Sequence, residues 1–339
     1  MFDKYIAPHK IFFHPDRIKA FLEDGIVQPI SVKLRLTDKC NSKCFYCSYK
    51  DDLNNGEIAI ENLLIVFKRL KLMGVKSIVF TGGEPTCYSM FEEAIKISKE
   101  MHGFDIGLIT NGVMSPAKIA KYLTWVRFSL DTIDKTAYRE SRGIDAVGKV
   151  LTNINDTILI RDSIAPWLTV GIQAVLNNYN FDYMFKSIIN VVEYAAKIKA
   201  DYFQIRPLEN VEYTEEQLLI INGLLKSLKE TNYGIKMLFT DYKWNEIKNG
   251  YYKNYNSCPS ADFIGSVDVK GDFYMCCANI NDSTAKYGNL ITDNVADILG
   301  NRKEIQDKFD YNKCTLICQG SLLNQTLNEL KNIKHKNFI

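Results

Sequence analysis

Residues 36–47 read LTDKCNSKCFYC and place three cysteines, Cys40, Cys44 and Cys47, in one short stretch. The stretch follows residues 31–36, whose composition predicts a β-strand. Gaps of three and two residues allow one tight loop to direct three thiolates at a single inorganic centre, as iron-sulfur clusters require. Three protein ligands leave one iron of a four-iron cluster open to a further ligand. The stretch therefore predicts an iron-sulfur site with an open position at the end of the first strand.

A zinc site is the alternative interpretation of this loop. Zinc sites usually have four Cys or His ligands, often in C-x2-C pairs. The sequence offers no fourth ligand close to the loop, since His14 lies upstream and His102 lies well downstream. A closed zinc site would have to recruit Cys87 or a more distant residue. The spacing therefore favours iron-sulfur over zinc.

Length and composition limit the class of protein. The chain has 339 residues, enough for one large domain and a smaller one. Lys and Arg number 42 against 40 Asp and Glu, a net charge of +2 without blocks of like charge, so no nucleic-acid partner is expected. The first 21 residues have scattered charges and no continuous apolar run, so neither a signal peptide nor a membrane span is expected there. The nine cysteines are expected to be metal ligands, and the protein is expected to be cytoplasmic with no membrane partner.

Strand-like and helix-like segments alternate along the chain. Predicted strands occupy residues 31–36, 77–80, 106–110, 126–130, 168–176 and 202–205. Predicted helices occupy residues 57–73, about 90–101, a segment from 116, segments within 147–161 and 182–199, and about 215–230. Six strands that alternate with six helices predict a parallel α/β architecture. Ligands of such a fold are expected at the carboxyl ends of its strands.

Polar motifs stand at that edge. The second predicted strand is followed by residues 81–86, TGGEPT, in which paired glycines permit close approach to a ligand and Glu84 can accept hydrogen bonds from an ammonium group. Further polar residues follow or lie within later strands: Asn111, Ser129, Asp131, Arg139, Arg142 and Gln173. Each of them alone is more readily explained as a satisfied structural group. Their occurrence at successive strand ends favours one ligand site.

The C-x3-C-x2-C loop after a strand, with Tyr46 before its third cysteine, resembles the signature of the radical S-adenosylmethionine (radical SAM) superfamily. The resemblance implies a partial (β/α)6 TIM-like barrel over residues 31–235, preceded by an N-terminal extension of residues 1–30. It implies that Cys40, Cys44 and Cys47 bind a [4Fe-4S] cluster. It also implies a set of residues that bind S-adenosylmethionine, composed of Tyr46, Gly82, Gly83, Glu84, Asn111, Ser129, Arg142 and Gln173.

The resemblance gives this set distinct roles. Gly82, Gly83 and Glu84 would contact the amino group of the methionine part of the ligand, and Ser129 with Arg142 or Arg139 would bind its carboxylate. Asn111 and Gln173 would contact the ribose or the sulfonium group. Tyr46 would lie beside the adenine. The implied activity is reductive cleavage of S-adenosylmethionine to a 5'-deoxyadenosyl radical, which then abstracts a hydrogen from a substrate. The electron would come from an external donor such as flavodoxin or ferredoxin.

Residues 250–339 contain a second group of cysteines: Cys258, Cys276, Cys277, Cys314 and Cys318. A turn at Gly271 between strand-prone segments predicts a β-hairpin within residues 264–275 that brings the first two cysteines of this group together. Four thiolates from two separated pairs can hold one further cluster, and they also suit tetrahedral zinc.

This segment resembles the SPASM and twitch auxiliary-cluster domains of radical SAM enzymes. The likeness rests on Cys258, Gly271 and Cys276, with gaps of 12 and 4 residues, and on the turn at 287–289. The segment departs from the full pattern because no cysteine follows Cys318 and the last pair is spaced by three residues, not two. The resemblance therefore implies a small, twitch-like C-terminal domain with one auxiliary [4Fe-4S] cluster, held by Cys258, Cys276, Cys314 and Cys318. Cys277 is left over, either as a buried thiol or as a hydrogen donor to the substrate.

The substrate is the least constrained part of the prediction. Only 39 residues precede Cys40, too few for the winged-helix leader-binding domain of many peptide-modifying relatives, so oxidation or rearrangement of a sugar, cyclitol or nucleotide is preferred. A cyclase acting on guanosine triphosphate is less favoured, because its Gly-Gly carboxy terminus is absent from a chain that ends KNFI at 336–339. One alternative is a ribosomal-peptide maturase, either an epimerase or a crosslinking enzyme. Another is a non-catalytic iron-sulfur redox protein, which would need neither the Gly-Gly-Glu loop nor Ser129.

Overall fold

The computed structural model of the protein describes residues 8–50, 56–176, 181–208, 212–248, 257–314, 318 and 320–334, without the side chains of residues 181–184 and 313. The chain end at 336–339, which weighed against a cyclase, lies outside the described residues. None of the described helices is both long and apolar enough to cross a membrane.

The described strands form a single sheet. In chain order they are β1 (Ser31–Arg35), β2 (Ser77–Thr81), β3 (Asp105–Thr110), β4 (Trp125–Ser129), β5 (Thr169–Leu176), β6 (Tyr202–Pro207), β7 (Lys236–Leu238), β8 (Ile264–Val267), β9 (Asp272–Tyr274) and β10 (Lys286–Asn289). Their order across the sheet is β10-β9-β8-β1-β2-β3-β4-β5-β6-β7. The pairs from β8 to β7 are parallel, whereas β9 is antiparallel to β8 and β10. The sheet is open, so the predicted α/β partial barrel is confirmed.

Helices connect the strands, and several of them pack against the main hydrophobic core on one side of the sheet. They are α1 (Pro15–Leu22), α2 (Ile60–Leu72), α3 (Phe91–Glu100), α4 (Lys135–Arg142), α5 (Val147–Ile164), α6 (Phe181–Lys197), α7 (Glu215–Glu230), α8 (Asp241–Lys248), α9 (Val295–Lys308) and α10 (Ser321–Asn332). Helix α2 shows why they pack there: its buried residues Leu63, Val66, Phe67 and Leu70 recur at helical spacing and join the main hydrophobic core.

The other face of the parallel strands is polar, because alternate residues of a strand point to opposite sides. Val32 and Leu34 of β1 are fully buried in the main core. Lys33, between them, lines a cavity on the opposite side, together with Arg127 of β4 and Arg206 of β6. This inner face of the open barrel therefore supplies the polar walls of a site.

Most of the predicted elements of the core are confirmed. Strands β1 to β6 lie where the sequence predicts them, with ends shifted by one or two residues. The helix predicted from residue 116 is wrong, since Ala117–Tyr122 forms a 3₁₀ helix instead. After the turn at Asn111 and Gly112, few residues remain before β4, and the tighter 3₁₀ geometry fits this short connection. Elements α4, β7, α8, β10 and α10 were not predicted.

The C-terminal strands extend the sheet of the core. Strand β8 pairs in parallel with β1, which places Ser266 opposite Lys33. The predicted hairpin is confirmed as β8 and β9, with Gly271 in its turn at φ +82°, a left-handed conformation that glycine adopts readily. The division into a core at 31–235 and a small domain at 250–339 stays a prediction, because the described strands of both parts belong to one sheet.

Two glycines make room for aromatic rings on the inner face of the sheet. A Cβ atom on Gly107 would lie 2.2 Å from the ring of Trp125, and a Cβ atom on Gly171 would lie 2.1 Å from the ring of Tyr202. Each ring belongs to the residue that pairs with the glycine on the neighbouring strand. The two rings therefore lie across neighbouring strands, where a larger residue would displace them.

We expect Gly171→Ala to destabilise the protein by ~1–3 kcal/mol, the usual cost of an added methyl group in a packed interior. Gly223→Ala in α7 is the matched control, because no atom outside its own helix lies within 4 Å of the added Cβ. The control should be neutral or stabilising, by up to ~1 kcal/mol, since alanine favours helices over glycine. Denaturant midpoints followed by circular dichroism check both variants, and an unchanged midpoint for Gly171→Ala would contradict the packing argument.

Candidate active site

The loop with the three cysteines leaves the carboxyl end of β1 and packs against the loop that follows β2. Gly83 donates its backbone N–H to the carbonyl oxygen of Thr37 at 2.9 Å, and Glu84 donates its own to Lys39 at 2.8 Å. A Cβ atom on Gly82 would lie 2.5 Å from the oxygen of Thr37, and one on Gly83 would lie 2.4 Å from the oxygen of Lys39. The paired glycines thus permit close contact between two loops. The sequence predicted only that they contact a ligand, and this second role was not predicted.

The carboxylate of Glu84 is buried and holds the end of β3. It accepts hydrogen bonds from the hydroxyl groups of Thr86 and Thr110, each at 2.7 Å, from the Asn111 N–H at 2.7 Å and from the Thr86 N–H at 3.2 Å. Burial raises the pKa of Glu84, although these hydrogen bonds act against the rise. Three of these donors share Oε1 and one reaches Oε2, so the carboxylate is held firmly while Oε2 can still accept a further hydrogen bond. Glu84 therefore has a structural role, and the contact of its side chain with an ammonium group stays a prediction.

Asn111 connects β3 to the cysteine loop. Its side-chain amide donates to the side-chain oxygen of Asn41 at 2.7 Å and to the hydroxyl of Ser42 at 3.1 Å. Both acceptors lie between Cys40 and Cys44 in the sequence. The amide that was predicted to contact the cofactor therefore also orders the loop that carries the cysteines.

Arg142 and Tyr46 meet at the carboxylate of Asp131. Arg142 contacts Oδ2 of Asp131 at 2.6 Å, the Tyr46 hydroxyl donates to the same atom, and the N–H of Val175 donates to Oδ1 at 2.9 Å. Burial works to lower the pKa of Arg142, but the charge of Asp131 outweighs it and the pKa is raised well above its usual value. Arg142 also lies 3.8 Å from the sulfur of Cys44. It is thus paired within the protein, and its predicted bond to a ligand carboxylate stays a prediction.

Cys40, Cys44 and Cys47 are partly exposed and line one cavity of about 240 Å³. Burial raises the pKa of Cys40 to about 12 and raises that of Cys44, with the charge of Arg142 acting against it. A raised pKa disfavours the thiolate, which is the form that binds a metal, so the positive charge of a metal centre would stabilise the ligand form of these two cysteines. Three thiols at the edge of one polar cavity fit a cluster with an open iron.

The same cavity collects the residues predicted to bind S-adenosylmethionine: Tyr46, Gly82, Gly83, Glu84, Asn111, Ser129, Arg142 and Gln173. Arg139, the weaker candidate, is exposed and is not among its lining residues. Ser129 and Gln173 pair across β4 and β5. The buried side-chain oxygen of Gln173 has no hydrogen-bond partner in the described residues. An orphaned acceptor that faces a cavity fits a ligand with a hydroxyl or ammonium donor.

A second cavity, of about 310 Å³, is lined by the five C-terminal cysteines: Cys258, Cys276, Cys277, Cys314 and Cys318. Burial raises the pKa of Cys276 well above its usual value, and the charges of Cys277, Cys258 and Cys318 add to this. The side chain of Asn324 donates to the sulfur of Cys258 at 3.6 Å, and the Cys276 thiol donates to Asn279 at 2.8 Å. In the described residues no three His, Cys, Asp or Glu side chains lie together at the distances of a single-ion site.

Cys277 lies on the wall between the two cavities. Its buried sulfur is 3.1 Å from Nζ of Lys33. Lys33, Ser48 and Tyr49 line both cavities. Cys277 itself lines the second cavity and is not among the lining residues of the first, so its role as a hydrogen donor stays a prediction.

The sequence did not assign a role to several residues that shape the site. Asp131 was noted beside Ser129 but not as the partner of Arg142 and Tyr46. Lys33 and Arg127 were missed. Both alternate with core residues on their strands, and this period-two pattern indicates that their side chains point to the inner face of the sheet.

Comparisons with known proteins agree with this geometry. Residues 34–158 match the family model of the Radical SAM superfamily. A probable GTP 3',8-cyclase of Methanocaldococcus jannaschii is 26% identical over 215 residues, 59% of this chain and 72% of the relative. The corresponding protein of Saccharolobus islandicus is 29% identical over 178 residues, 51% of this chain and 54% of the relative, so the chain spans about half the length of that protein.

Solved structures show the same fold. Streptococcus suis SuiB bound to its precursor peptide SuiA has a TM-score of 0.66 and 19% identity, over 97% of this chain and 80% of SuiB. The structure of anSMEcpe with AdoMet and the Cp18Cys peptide has a TM-score of 0.60 and 18% identity, over 86% of this chain and 88% of that one. Fold, site and matches together define an α/β enzyme that performs a radical transformation. Residues 34–158 are thus the part of the chain that matches the radical SAM superfamily, whose members use a [4Fe-4S] cluster and S-adenosylmethionine.

We expect Asp131→Asn to destabilise the protein by ~3–5 kcal/mol, because it leaves the buried guanidinium of Arg142 without a counter-ion. Asp145→Asn is the matched control, since Asp145 lies just after α4 and pairs at 3.2 Å with exposed Lys135, which is in the same helix as Arg142. Loss of such a surface pair should cost no more than ~1 kcal/mol. Chemical denaturation of both variants and the wild type measures the difference, and equal losses would contradict a special role for the buried pair.

Proposed function

We propose that the chain holds a [4Fe-4S] cluster through Cys40, Cys44 and Cys47 and binds S-adenosylmethionine in the adjoining cavity. The observation that carries this proposal is the convergence of these three thiols and all eight predicted cofactor-binding residues on one cavity. When bound, the cluster supplies the electron for reductive cleavage of S-adenosylmethionine.

The residues of the chain position the reactants. The loop with the cysteines is held by the Gly82–Gly83 contact and by Asn111, so the three thiols keep their orientation. Ser129 and Gln173 offer a hydroxyl donor and an orphaned amide oxygen on the wall of the cavity. The protein contributes a fixed geometry and a site sheltered from bulk water, which limits unwanted hydrogen donors.

The substrate that we propose is a small molecule. The sequence left a sugar, a cyclitol and a nucleotide open, and of these we now place the nucleotide first. The relatives in M. jannaschii and S. islandicus are named as probable GTP 3',8-cyclases, which supports a nucleotide. Oxidation or rearrangement of that substrate, an external flavodoxin or ferredoxin as electron donor and a cytoplasmic location are parts of the same proposal.

A peptide substrate is the second candidate. SuiB was solved with its precursor peptide SuiA, and anSMEcpe was solved with the Cp18Cys peptide. The likeness to SuiB covers 97% of this chain and supports the candidate at the level of the fold. Co-purification of a small peptide with the protein would favour this alternative over a nucleotide.

We expect the anaerobically reconstituted protein to form 5'-deoxyadenosine from S-adenosylmethionine when reduced, and we expect Cys44→Ala to lose this activity because the cluster loses one of its three ligands. Cys87→Ala is the control, since a three-cysteine cluster does not use it whereas a four-ligand zinc site in this loop would need it or a more distant residue. Chromatographic detection of 5'-deoxyadenosine measures the outcome. Persistent cleavage in Cys44→Ala, or loss of metal in Cys87→Ala, would contradict the assignment.

We also propose an auxiliary [4Fe-4S] cluster at Cys258, Cys276, Cys314 and Cys318, which line the second cavity. Two four-iron clusters require about eight irons per chain. Cys258→Ala should reduce this to about four irons, because the first loop keeps its own cluster. Iron and zinc analysis of the reconstituted protein tests the assignment, and about four irons with bound zinc in the wild type would show that the second site holds zinc.

A further inference from the structure

The inner wall of the active-site cavity carries an excess of positive charge. Among the described lining residues Lys33, Arg127, Arg142 and Arg206 are cationic, and Glu84 alone is acidic. Two of these charges are accounted for, because Arg142 is paired with Asp131 and Glu84 accepts four hydrogen bonds from its own surroundings. Lys33 contacts the sulfur of Cys277. Arg206 also has an interaction within the protein, which leaves Arg127 of β4.

Arg127 is the most distinctive of these cations. It projects from the middle of β4, and its partners are the neutral side-chain oxygen of Gln204 at 3.0 Å and the hydroxyl of Tyr202. The described residues provide it with no carboxylate, and its buried Nε has no hydrogen-bond partner among them. A largely desolvated guanidinium without a counter-ion among the described residues is costly, which suggests that a ligand completes it.

The surroundings hold this guanidinium in place. The Trp125 ring lies 5.7 Å from it on the same face of β4, and Tyr202 reaches it across Gly171, whose missing side chain leaves room for the ring. Burial lowers the pKa of Arg127, and the nearby charge of Arg206 acts in the same direction. A guanidinium that is repelled by a second one favours an anion beside it.

S-adenosylmethionine does not supply that anion. Its carboxylate is balanced by an ammonium and a sulfonium group, so it brings no net negative charge. Its predicted carboxylate partner, Ser129, stands two residues beyond Arg127 on β4, roughly 7 Å along the strand. The anion expected at Arg127 therefore belongs to another molecule.

We propose that Arg127 binds a phosphate group of the substrate, with Arg206 and Lys33 on the same cavity wall. Phosphate carries more charge than a carboxylate and accepts parallel hydrogen bonds from a guanidinium. The inference rests on the proposed function, which places S-adenosylmethionine at the strand ends, and it narrows the substrate to a phosphorylated small molecule.

Titration of inorganic pyrophosphate into the reconstituted holoenzyme tests this site. The titration is done anaerobically by calorimetry, with saturating S-adenosylmethionine so that its carboxylate site is filled. The wild type should bind pyrophosphate more tightly than succinate. Arg127→Gln should weaken binding by about 10- to 100-fold, the usual effect of one lost charge-assisted contact. Arg127→Lys, which keeps the charge but not the fork of donors, should fall between the two.

Arg69→Gln is the matched control, since it removes a guanidinium whose partner is the carbonyl of Asp293 on the protein surface, and it should bind like the wild type. The inference would be overturned if the wild type did not bind pyrophosphate or bound succinate more tightly than pyrophosphate. It would also be overturned if the Arg127 variants bound pyrophosphate as tightly as the wild type. The titration requires no turnover, so cleavage of S-adenosylmethionine by the wild type is assayed separately. Cleavage without pyrophosphate binding rejects only the phosphate site, whereas binding without cleavage rejects the proposed function.

Discussion

The close backbone contact between the loop after β1 and the loop after β2 is the constraint on which the site depends. Carbonyl oxygens of the cysteine loop lie where the side chains of Gly82 and Gly83 would be, so the loop after β2 can donate backbone hydrogen bonds to the cysteine loop. Any side chain at either position would push the loops apart. The cysteines then would no longer meet the cavity formed by the neighbouring strands. The positions of the cysteine ligands thus depend on two residues that are not ligands themselves.

The cysteine loop is held from the opposite side by the end of α4. Lys43 donates its N–H to the carbonyl oxygen of Arg142 at 2.8 Å, and Phe45 donates to Ser141 at 3.3 Å. The Arg142 side chain meanwhile returns to Asp131 at the end of β4. Backbone bonds therefore fix the loop and an ion pair fixes the helix that holds it. A loop that is anchored on both sides can present three thiols in a constant arrangement. A metal site requires such an arrangement, and a flexible loop could not provide it.

Patterns in the sequence were sufficient for the parallel strands and for the residues that gather at their ends. Six strands have apolar segments that are long enough to be recognised in the sequence. The polar residues at their carboxyl ends share one cavity, because parallel strands end at the same edge of the sheet. The partners of those residues could not be predicted. Asp131 is separated from Tyr46 by a large part of the chain, and only the fold shows that it joins Tyr46 to Arg142. The three-residue strand β7 was missed since so short a segment has no detectable alternation.

The position of the second cysteine group follows from the pairing of β8 with β1. The sheet places β2 on one side of β1 and β8 on the other, so the first strand has both cysteine groups as neighbours. Lys33 and Ser266 stand opposite each other in this pair, and both line the second cavity. Lys33 also lines the first cavity, so a side chain of the strand that precedes the cysteine loop forms part of the wall between the two sites. Because both cavities share this wall, a shift of β1 relative to β8 would alter the two sites together, and the C-terminal strands are best regarded as part of the active-site framework.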